Sequence, residues 1–439
     1  MLAAFVLFGV CYACELSDWS LNMLRKRILS FLPIINHSTG HDHLKCVHFW
    51  IVVSTFAGLG FFVGMWTVLL ADLAGALQLS PILLGIALSS FSSAGIVALA
   101  SGSYLAARLS RRAILLIGIV GVGIFLVVLS SVSQFAILLI VLICGGVCTS
   151  CYDLAVNTLG GDYERRYQCK TMATFHAGFS GGAAPGAFLS ALALSAGIGF
   201  RTIYIVGAVL FLVLALVAAW CPLPSDTSTA ELTVEAYEAQ EGAISSTTVM
   251  GLLTTPIVML AITLVCLSFF TDGALEGYIS IYLRNLLGSG VLLGGVGIAA
   301  YHLTGFLGRL GSAAALRRYG ERHVITSAGL LTLLGMLLAL ATTYSPLAVV
   351  GLLLVGIGQS PTVPTAFSLA GQVGSQRGAS AVALVTAFGY AVFLVTPLLI
   401  GALANLLSLR IALLLTIVAS IAIVLVAQRL PEKHHRRQG

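Results

Sequence analysis

Long apolar segments fill most of this 439-residue chain, and they leave it few ways to fold. Only 9% of the residues are charged, whereas soluble domains carry about 25%, so the chain cannot cover a water-facing surface. A helix needs ~20 mostly apolar residues to cross a bilayer, and unpaired backbone groups cannot face lipid. The sequence therefore predicts an all-α protein embedded in a lipid bilayer, with twelve transmembrane helices. They are expected at residues 47–71, 82–101, 113–132, 135–158, 170–196, 202–220, 252–280, 290–312, 323–343, 346–369, 379–402 and 407–428.

The positions of lysine and arginine predict how the helices are oriented. When the N-terminus is placed inside, only Arg201, Arg284 and Arg410 of the 22 basic residues fall outside. Because cytoplasmic loops collect Lys and Arg, both termini are predicted to be cytoplasmic in a multi-pass protein of the cell (inner) membrane. The net charge of +6 is then a signal of topology. Since the basic residues are scattered over short loops, no nucleic acid is expected as a partner.

A polar, acidic segment after the sixth span divides the chain into two halves. We predict an N-terminal cytoplasmic or interfacial segment at 1–46, a six-helix half at 47–221, an acidic cytoplasmic linker at 222–250, a second six-helix half at 251–428 and a basic cytoplasmic tail at 429–439. Met23 stands directly before a basic cluster and is an alternative start, which leaves open whether residues 1–22 belong to the mature protein.

Two Arg-rich loops indicate that the halves are repeats of one another. SYLAARLSRR (Ser103–Arg112) follows the second span, and AALRRYGER (Ala314–Arg322) follows the eighth. Each loop alone is explained by topology. Their recurrence at matching positions is typical of transporters, in which the substrate binds near the midplane between pseudo-symmetric halves.

The motifs that would indicate an enzyme are absent from the sequence. There is no GxxxxGK[ST] loop to hold ATP phosphates and no HExxH zinc motif, so neither an enzymatic activity nor a cofactor is expected. Cys144, Cys148 and Cys151 share one helix face, where small packing residues are a better interpretation than a metal site. Transport would have to be driven by an ion or solute gradient.

Three polar residues close to one cytoplasmic loop form the first predicted site. Asp153 and Asn157 are four residues apart on one face of span four, which is expected to end near Gly160. His176 lies early in span five, so at 1.5 Å per residue it and Asp153 both lie ~10 Å from their helix ends. An Asp–His pair can pass a proton, so the three are predicted to couple substrate and protons. The alternative is a structural tie in which His176 donates to Asp153.

Asp272 and Glu276 form a second pair, late in span seven. Like charges at i,i+4 repel, so one of the two is suited to bind a proton or a cation. Gly273 and Gly277 loosen this helix, as in the broken helices of transporters. The alternative is an outer helix end at which both acids are wet.

Other polar and aromatic side chains in the spans are weaker candidates. Gln359 and Tyr390 are predicted substrate ligands, and Trp66 is predicted either to stack on a sugar ring or to pack in the core. His302 is expected to be hydrogen-bonded to a neighbouring helix. Arg309 is expected to extend its guanidinium to the cytoplasmic surface.

The two basic loops resemble the cytoplasmic loops of the major facilitator superfamily, with the pattern Gly-x-Leu-Ala-Asp-Arg-x-Gly-Arg-Arg. The resemblance implies a gating role for the matching residues, which are Arg108, Arg111, Arg112, Arg318, Gly320 and Arg322. Ser103 and Ser110 replace the glycines, and Ala107 replaces the Asp of a charge relay that helps hold one conformation shut in the family. That contact is therefore not expected here.

A narrower likeness points to one branch of the superfamily. The sequence Asp153-Leu-Ala-Val-Asn157, followed by Glu164-Arg165-Arg166 and Phe175-His176-Ala-Gly-Phe-Ser, is similar to the MosC/YbjJ-like branch, which is related to the fucose permeases. Its relatives imply sugars, polyols or similar polar metabolites as substrates. An Arg and a Pro that the branch often carries late in the first helix are replaced here by Leu69 and Ala71.

These observations together predict a secondary active transporter. We expect a monomer that moves a small polar organic solute by alternating access, coupled to protons. The first alternative is an exporter of amphipathic compounds, and the second is a transporter-shaped sensor or assembly factor that moves nothing.

Overall fold

The protein, described here by a computed structural model, is helical along almost all of residues 40–100, 108–224, 246–373 and 377–431. These four ranges are the residues that the structure describes. The alternative start at Met23, the replaced positions Ser103 and Ala107, most of the acidic linker and nearly all of the basic tail lie outside them.

The first half contains six long helices connected by short turns. They are α1 (Gly40–Ala76), α2 (Pro81–Ala100), α3 (Arg111–Ser130), α4 (Phe135–Tyr167), α5 (Met172–Ser195) and α6 (Phe200–Trp220). Ser110 caps α3 by accepting a hydrogen bond from the Ala113 backbone N–H. The fourth helix runs to Tyr167 and not to Gly160 as the sequence suggested, because its polar last two turns continue the helix beyond the apolar run.

The second half repeats this arrangement after a short helix, Ser246–Leu253. Helix α7 (Pro256–Ile281) continues into a π-helical turn (Tyr282–Leu286), and a single helical stretch, Val291–Ala341, contains α8 (291–319) and α9 (321–341). Helix α10 has two segments, Ser345–Gln359 and Thr362–Gly371, and it is followed by α11 (Arg377–Leu406) and α12 (Leu409–Ala427). The break in α10 falls at Ser360 and Pro361, where proline cannot donate a backbone hydrogen bond.

Gly320 separates α8 from α9. Its φ of 78° and ψ of 164° lie in a region that essentially only glycine adopts. The predicted basic loop between these spans is therefore a sharp turn at Gly320 that separates two helices.

The helices match the predicted spans in number and kind. Ten of the described helices are long and apolar enough to cross a membrane, Pro81–Val97 is a shorter apolar helix, and Val291–Ala341 contains two spans. The all-α fold is confirmed. Within the first half, α1 packs on α5 and α4 packs on α2 and α3, while α7 packs on α11 and α12 in the second.

The halves meet mainly along two helix pairs, α2 with α11 and α5 with α8. Close approach of α2 and α11 depends on glycine, since a Cβ atom on Gly401 would lie 2.4 Å from the carbonyl oxygen of Pro81. The space between these two contacts is where a site belonging to both halves can form.

Candidate functional site between the two halves

One end of the helix bundle carries the Arg-rich turns, and we call it the basic end. The carboxylate of Asp162 on α4 pairs there with Arg165 and, at 3.4 Å, with Arg111. Arg112 donates to the carbonyl oxygen of Cys221 at 2.9 Å. These contacts join residues of the first half to one another, so they order the basic end of that half.

The second half presents its own basic residues at the same end. Arg322 donates to the side-chain oxygen of Gln428 at 3.1 Å. Arg318 is exposed and lies over the Tyr319 ring, Arg108 is exposed, and Gly320 forms the turn described above. All six residues predicted for the gating loops therefore lie at the basic end.

The opposite end, which we call the joined end, holds the two halves together by polar contacts. Arg284, at the end of α7, donates two hydrogen bonds to the carboxylate of Asp72, near the end of α1, at 2.6 and 2.9 Å. Both side chains are half-buried and keep some contact with solvent. Ser280 donates to the Val68 carbonyl oxygen at 3.3 Å, across the same boundary.

Helices α2 and α11 add further contacts at the joined end. The Tyr278 hydroxyl on α7 donates to the carbonyl oxygen of Pro397 at 2.8 Å, and the Ser89 hydroxyl on α2 donates to that of Leu394 at 2.7 Å. Backbone carbonyl groups on either side of the helix-internal Pro397 thus accept hydrogen bonds from other helices.

Asp153 lies between the halves, on α4. Asn157 donates to its Oδ1 at 2.9 Å, as the four-residue spacing predicts. The hydroxyl of Tyr390, on α11 of the other half, donates to its Oδ2 at 2.7 Å. The structure thus brings together three of the predicted site residues and makes one of their contacts a bridge across the interface.

His176 is not joined to Asp153, which corrects the expected pair. Its ring is exposed and packs edge-on against Phe56 of α1, with ring centroids 5.1 Å apart. Within the ranges given above it makes no hydrogen bond. Both oxygens of Asp153 already have donors, and α4 and α5 pack mainly on other helices. The Met172 side chain does lie against Gly160, so the start of α5 is level with that turn of α4, as expected.

The acids of the second half have different surroundings. The Tyr301 hydroxyl on α8 donates to Asp272 at 2.5 Å, a contact within one half. Glu276, one turn further along α7, is half-buried and accepts no hydrogen bond from any residue that the structure describes. Neither acid lies at a wet helix end, because Tyr278 and Tyr282 beyond them are fully buried.

His302 and Arg309 also lie in this region. The sequence predicted a structural hydrogen bond for His302 and a surface position for Arg309. His302 is only 4% exposed, and its Nε2 has no hydrogen-bond partner among the described residues, contrary to the expected bond to a neighbouring helix. Arg309 does not reach the surface, because its guanidinium donates to the Ser180 hydroxyl of α5 in the other half.

The remaining two candidates are buried away from the central space. Trp66 stacks between the rings of Phe62 and Phe91 in the core of the first half, which favours packing over stacking on a sugar. Gln359 is 4% exposed and donates weakly to the Ser268 carbonyl oxygen at 3.4 Å, which ties α10 to α7.

A small cavity at the joined side of the central space receives side chains from both halves. Only Thr67 comes from the first half. The cavity is lined by Thr67, Leu275, Glu276, Ile279, Ile298, Tyr301, His302 and Leu352.

Sequence reasoning missed the Asp72–Arg284 pair and the inward direction of Arg309. One signal was available: α1 and α7 occupy the same place in the two halves, and Asp72 near the end of α1 and Arg284 just beyond α7 have opposite charges. For Arg309, the position in the helix did not reveal which face of α8 meets the other half.

Comparison with known proteins identifies the fold and relatives of this chain. The family model described as Major Facilitator Superfamily matches residues 50–379 and 300–439. An uncharacterized MFS-type transporter of Yersinia pestis is 27% identical over 370 residues, which are 83% of this chain and 92% of that protein. The membrane protein MosC of Rhizobium meliloti is 29% identical over 157 residues, 36% of this chain and 39% of MosC.

Solved structures show the same fold at low sequence identity. The nucleoside transporter NupG has a TM-score of 0.67 at 14% identity, covering 87% of this chain and 98% of NupG. A bacterial homolog of the human lysosomal transporter Spinster has a TM-score of 0.68 at 12% identity, covering 90% of this chain and 98% of that one.

Proposed function

The chain belongs to the Major Facilitator Superfamily, and on that premise we propose that it is a secondary active transporter that moves a small polar organic solute by alternating access, coupled to protons. The proposed solutes are sugars, polyols and related polar metabolites. Carboxylate, imidazole and hydroxyl groups between the halves support this class, because they form hydrogen bonds with the hydroxyl groups of such solutes.

The observation that carries the proposal is the hydrogen bond from Tyr390 to Asp153. A carboxylate on one half accepts a donor from the other half at 2.7 Å. An ionised carboxylate accepts this bond strongly, and a protonated one accepts it weakly. Binding of a proton to Asp153 would therefore change the force that holds the two halves in this arrangement.

The other groups between the halves have supporting roles in the proposal. His176 is exposed, so it can receive a proton from solvent. Asp272 accepts a bond from Tyr301 at one oxygen only, and Glu276 has no donor among the residues described, so both can serve the solute or a second proton.

Alternating access requires that the joined end open and the basic end close. The contact between Asp72 and Arg284 would break in that step, and the arginines of the basic end would approach the other half. We further propose that the basic end faces the cytoplasm, that the protein lies in the inner membrane and that it works as a monomer, in accordance with the positive-inside rule.

Reconstitution into liposomes tests the proposal directly. Vesicles that contain a pH-sensitive dye are given an outward or inward pH gradient, and radiolabelled sugars and polyols are screened for uptake and for movement of protons. We expect at least one solute to carry protons with it, and a protonophore to remove its accumulation. Empty vesicles serve as the control. Uptake that ignores both the gradient and the protonophore would refute proton coupling.

A further inference from the structure

We propose that Arg309 and His176 together bind the carboxylate group of a hydroxylated organic acid, such as a sugar acid, that enters from the basic end. This inference rests on the proposed transport function and narrows its substrate class from polar metabolites in general to acids. It starts from Arg309, a cation inside a membrane-spanning stretch that bonds to the other half of the protein.

Arg309 uses little of its hydrogen-bonding capacity within the protein. Its guanidinium donates to the hydroxyl of Ser180, a side chain that is 1% exposed. No carboxylate of the described residues forms an ion pair with it. A guanidinium carries five N–H donors in a planar fork that matches the two oxygens of a carboxylate. Since a charge within the bilayer is costly, the remaining donors favour an anionic ligand.

His176 supplies a second donor from the other half. It lies four residues before Ser180 and therefore on the same face of α5, with Cβ atoms about 5–6 Å apart. The imidazole is exposed, has no hydrogen-bond partner among the described residues and is close enough to Arg309 to interact electrostatically. An imidazole donates an N–H in both its neutral and its charged form. An anion between the two side chains can thus accept hydrogen bonds from both halves.

The acids of the second half lie on the other side of Arg309. Asp272 accepts a bond from Tyr301, which precedes Arg309 by eight residues and so lies ~12 Å closer to the joined end along α8. Glu276 lines the small cavity with Tyr301 on that same side. A solute that enters from the basic end therefore meets His176 and Arg309 before it reaches either acid.

These two acids indicate the rest of the solute. Tyr301 donates to one oxygen of Asp272, and Glu276 has no donor among the residues described. Carboxylate oxygens accept hydrogen bonds from hydroxyl groups. A hydroxylated acid fits this order of groups, with its carboxylate toward the basic end and its hydroxyls toward the joined end.

A carboxylate suits the site better than a phosphate. Arg309 is the one permanent cation that it contributes, which balances a single negative charge, whereas a phosphate monoester carries about −1.5 to −2 at neutral pH. Because Arg309 and His176 belong to different halves, the site is complete only in some arrangements of the halves, as binding of a transported solute requires.

The test compares acids with neutral solutes of similar shape. Purified protein in lipid nanodiscs is titrated with gluconate, galacturonate and lactate, and with the matched sorbitol, galactose and propylene glycol, at equal ionic strength, while its thermal unfolding is followed. We expect at least one acid to raise the unfolding temperature in a saturable way, with its neutral counterpart at least about tenfold weaker, since hydrogen bonds between charged groups exceed neutral ones by that order.

Variants locate the binding. Arg309→Gln removes the cation and should weaken the acid about 10- to 100-fold, while His176→Leu should weaken it about tenfold. Ser180→Ala removes the acceptor that the protein itself offers to Arg309, so this variant should bind the acid at least as tightly as the native protein. Arg201→Gln, which removes an exposed arginine at the joined end, is the matched control and should bind as the native protein does.

Several outcomes would overturn the inference. They are equal effects of acids and neutral solutes, no effect of any acid, and an acid effect that Arg309→Gln leaves unchanged. Equal weakening by Ser180→Ala and Arg309→Gln would show that the arginine only joins the helices. Tighter binding of glycerol phosphate than of every acid would overturn the choice of a carboxylate. The comparison of acids with neutral solutes needs no variant and stands if one fails to fold.

Transport in liposomes separates this inference from the proposed function. If neutral sugars or polyols are carried with protons while no acid binds, the inference fails and the proposed function survives. If no solute, acidic or neutral, moves under any gradient, it is the proposed function that fails.

Discussion

Two carboxylate–phenol pairs lie between the halves of this protein, and they differ in which helices they connect. Tyr301 donates to Asp272 at 2.5 Å, and both residues belong to the second half. Tyr390 donates to Asp153 at 2.7 Å, and this bond joins one half to the other. The chemistry of the two bonds is the same. Only the second depends on the relative position of the halves, so we propose that the second converts a change of protonation into a conformational change.

Neutralising the two acids in turn is the strongest test of the proposed difference between Asp153 and Asp272. Asp153→Asn keeps the size of the side chain but cannot take up a proton, so we expect proton-driven uptake to fall by at least about 100-fold. Asp272→Asn should lower uptake by roughly tenfold while the remaining uptake still responds to the pH gradient. Both are measured in liposomes, with the amount of inserted protein checked by fluorescence-detected gel filtration. Equal and complete losses would show that the two acids act alike.

Removing the phenol donors compares the same pairs without changing any charge. Tyr390→Phe removes the hydrogen bond to the charged Asp153 that joins the halves in the arrangement seen here. Because only this arrangement loses the bond, the equilibrium between conformations should shift by roughly tenfold. Tyr301→Phe should shift it by less than about threefold, since its bond lies within one half and does not need to break when the halves move.

Electron spin resonance distances provide the readout for this second prediction. Spin labels on Lys170 and Tyr319, which are exposed at the basic end of opposite halves, report how far apart the halves lie. The native cysteines are replaced first, so that only the introduced sites are labelled. A larger shift for Tyr301→Phe than for Tyr390→Phe would contradict the assignment of the bridge to Asp153.

Much of the fold was accessible from the sequence because it depends on local properties. Apolar runs of bilayer length predicted the spans, and the recurring basic loops predicted two halves. The bond between Asp153 and Asn157 follows from spacing along one helix. The end of α4 was missed, because a helix that extends beyond the bilayer carries no apolar signal over its last turns.

Contacts across the interface could not be predicted in the same way. Asp153 and Tyr390 are 237 positions apart, Asp72 and Arg284 are 212 apart, and Arg309 and Ser180 are 129 apart. Which side chains meet over such separations depends on how the halves pack and on which face of each helix points inward. The expected pair of Asp153 and His176 failed for this reason. Their depths in the bundle were compatible, but Phe56 of α1 packs against the imidazole.

A smaller effect than that of Tyr390→Phe is expected for the pair of Asp72 and Arg284 at the joined end, which also bridges the halves but lies away from the central acids. Asp72→Asn should shift the balance toward conformers open at this end by about threefold to fivefold, because a partly exposed ion pair contributes only about 1 kcal/mol or less. Spin labels on Ile198 and Leu286, exposed at this end in opposite halves, should show a growing population of longer distances. Exchanging the charges, with Asp72→Arg and Arg284→Asp together, should restore the native distances. A double variant that stays as open as Asp72→Asn would mean that packing, and not the charge pair, holds the joined end.

Proton-driven uptake should change less in these variants than in Tyr390→Phe. The joined end supplies a contact that must break in every cycle, but it holds none of the acids proposed to bind protons.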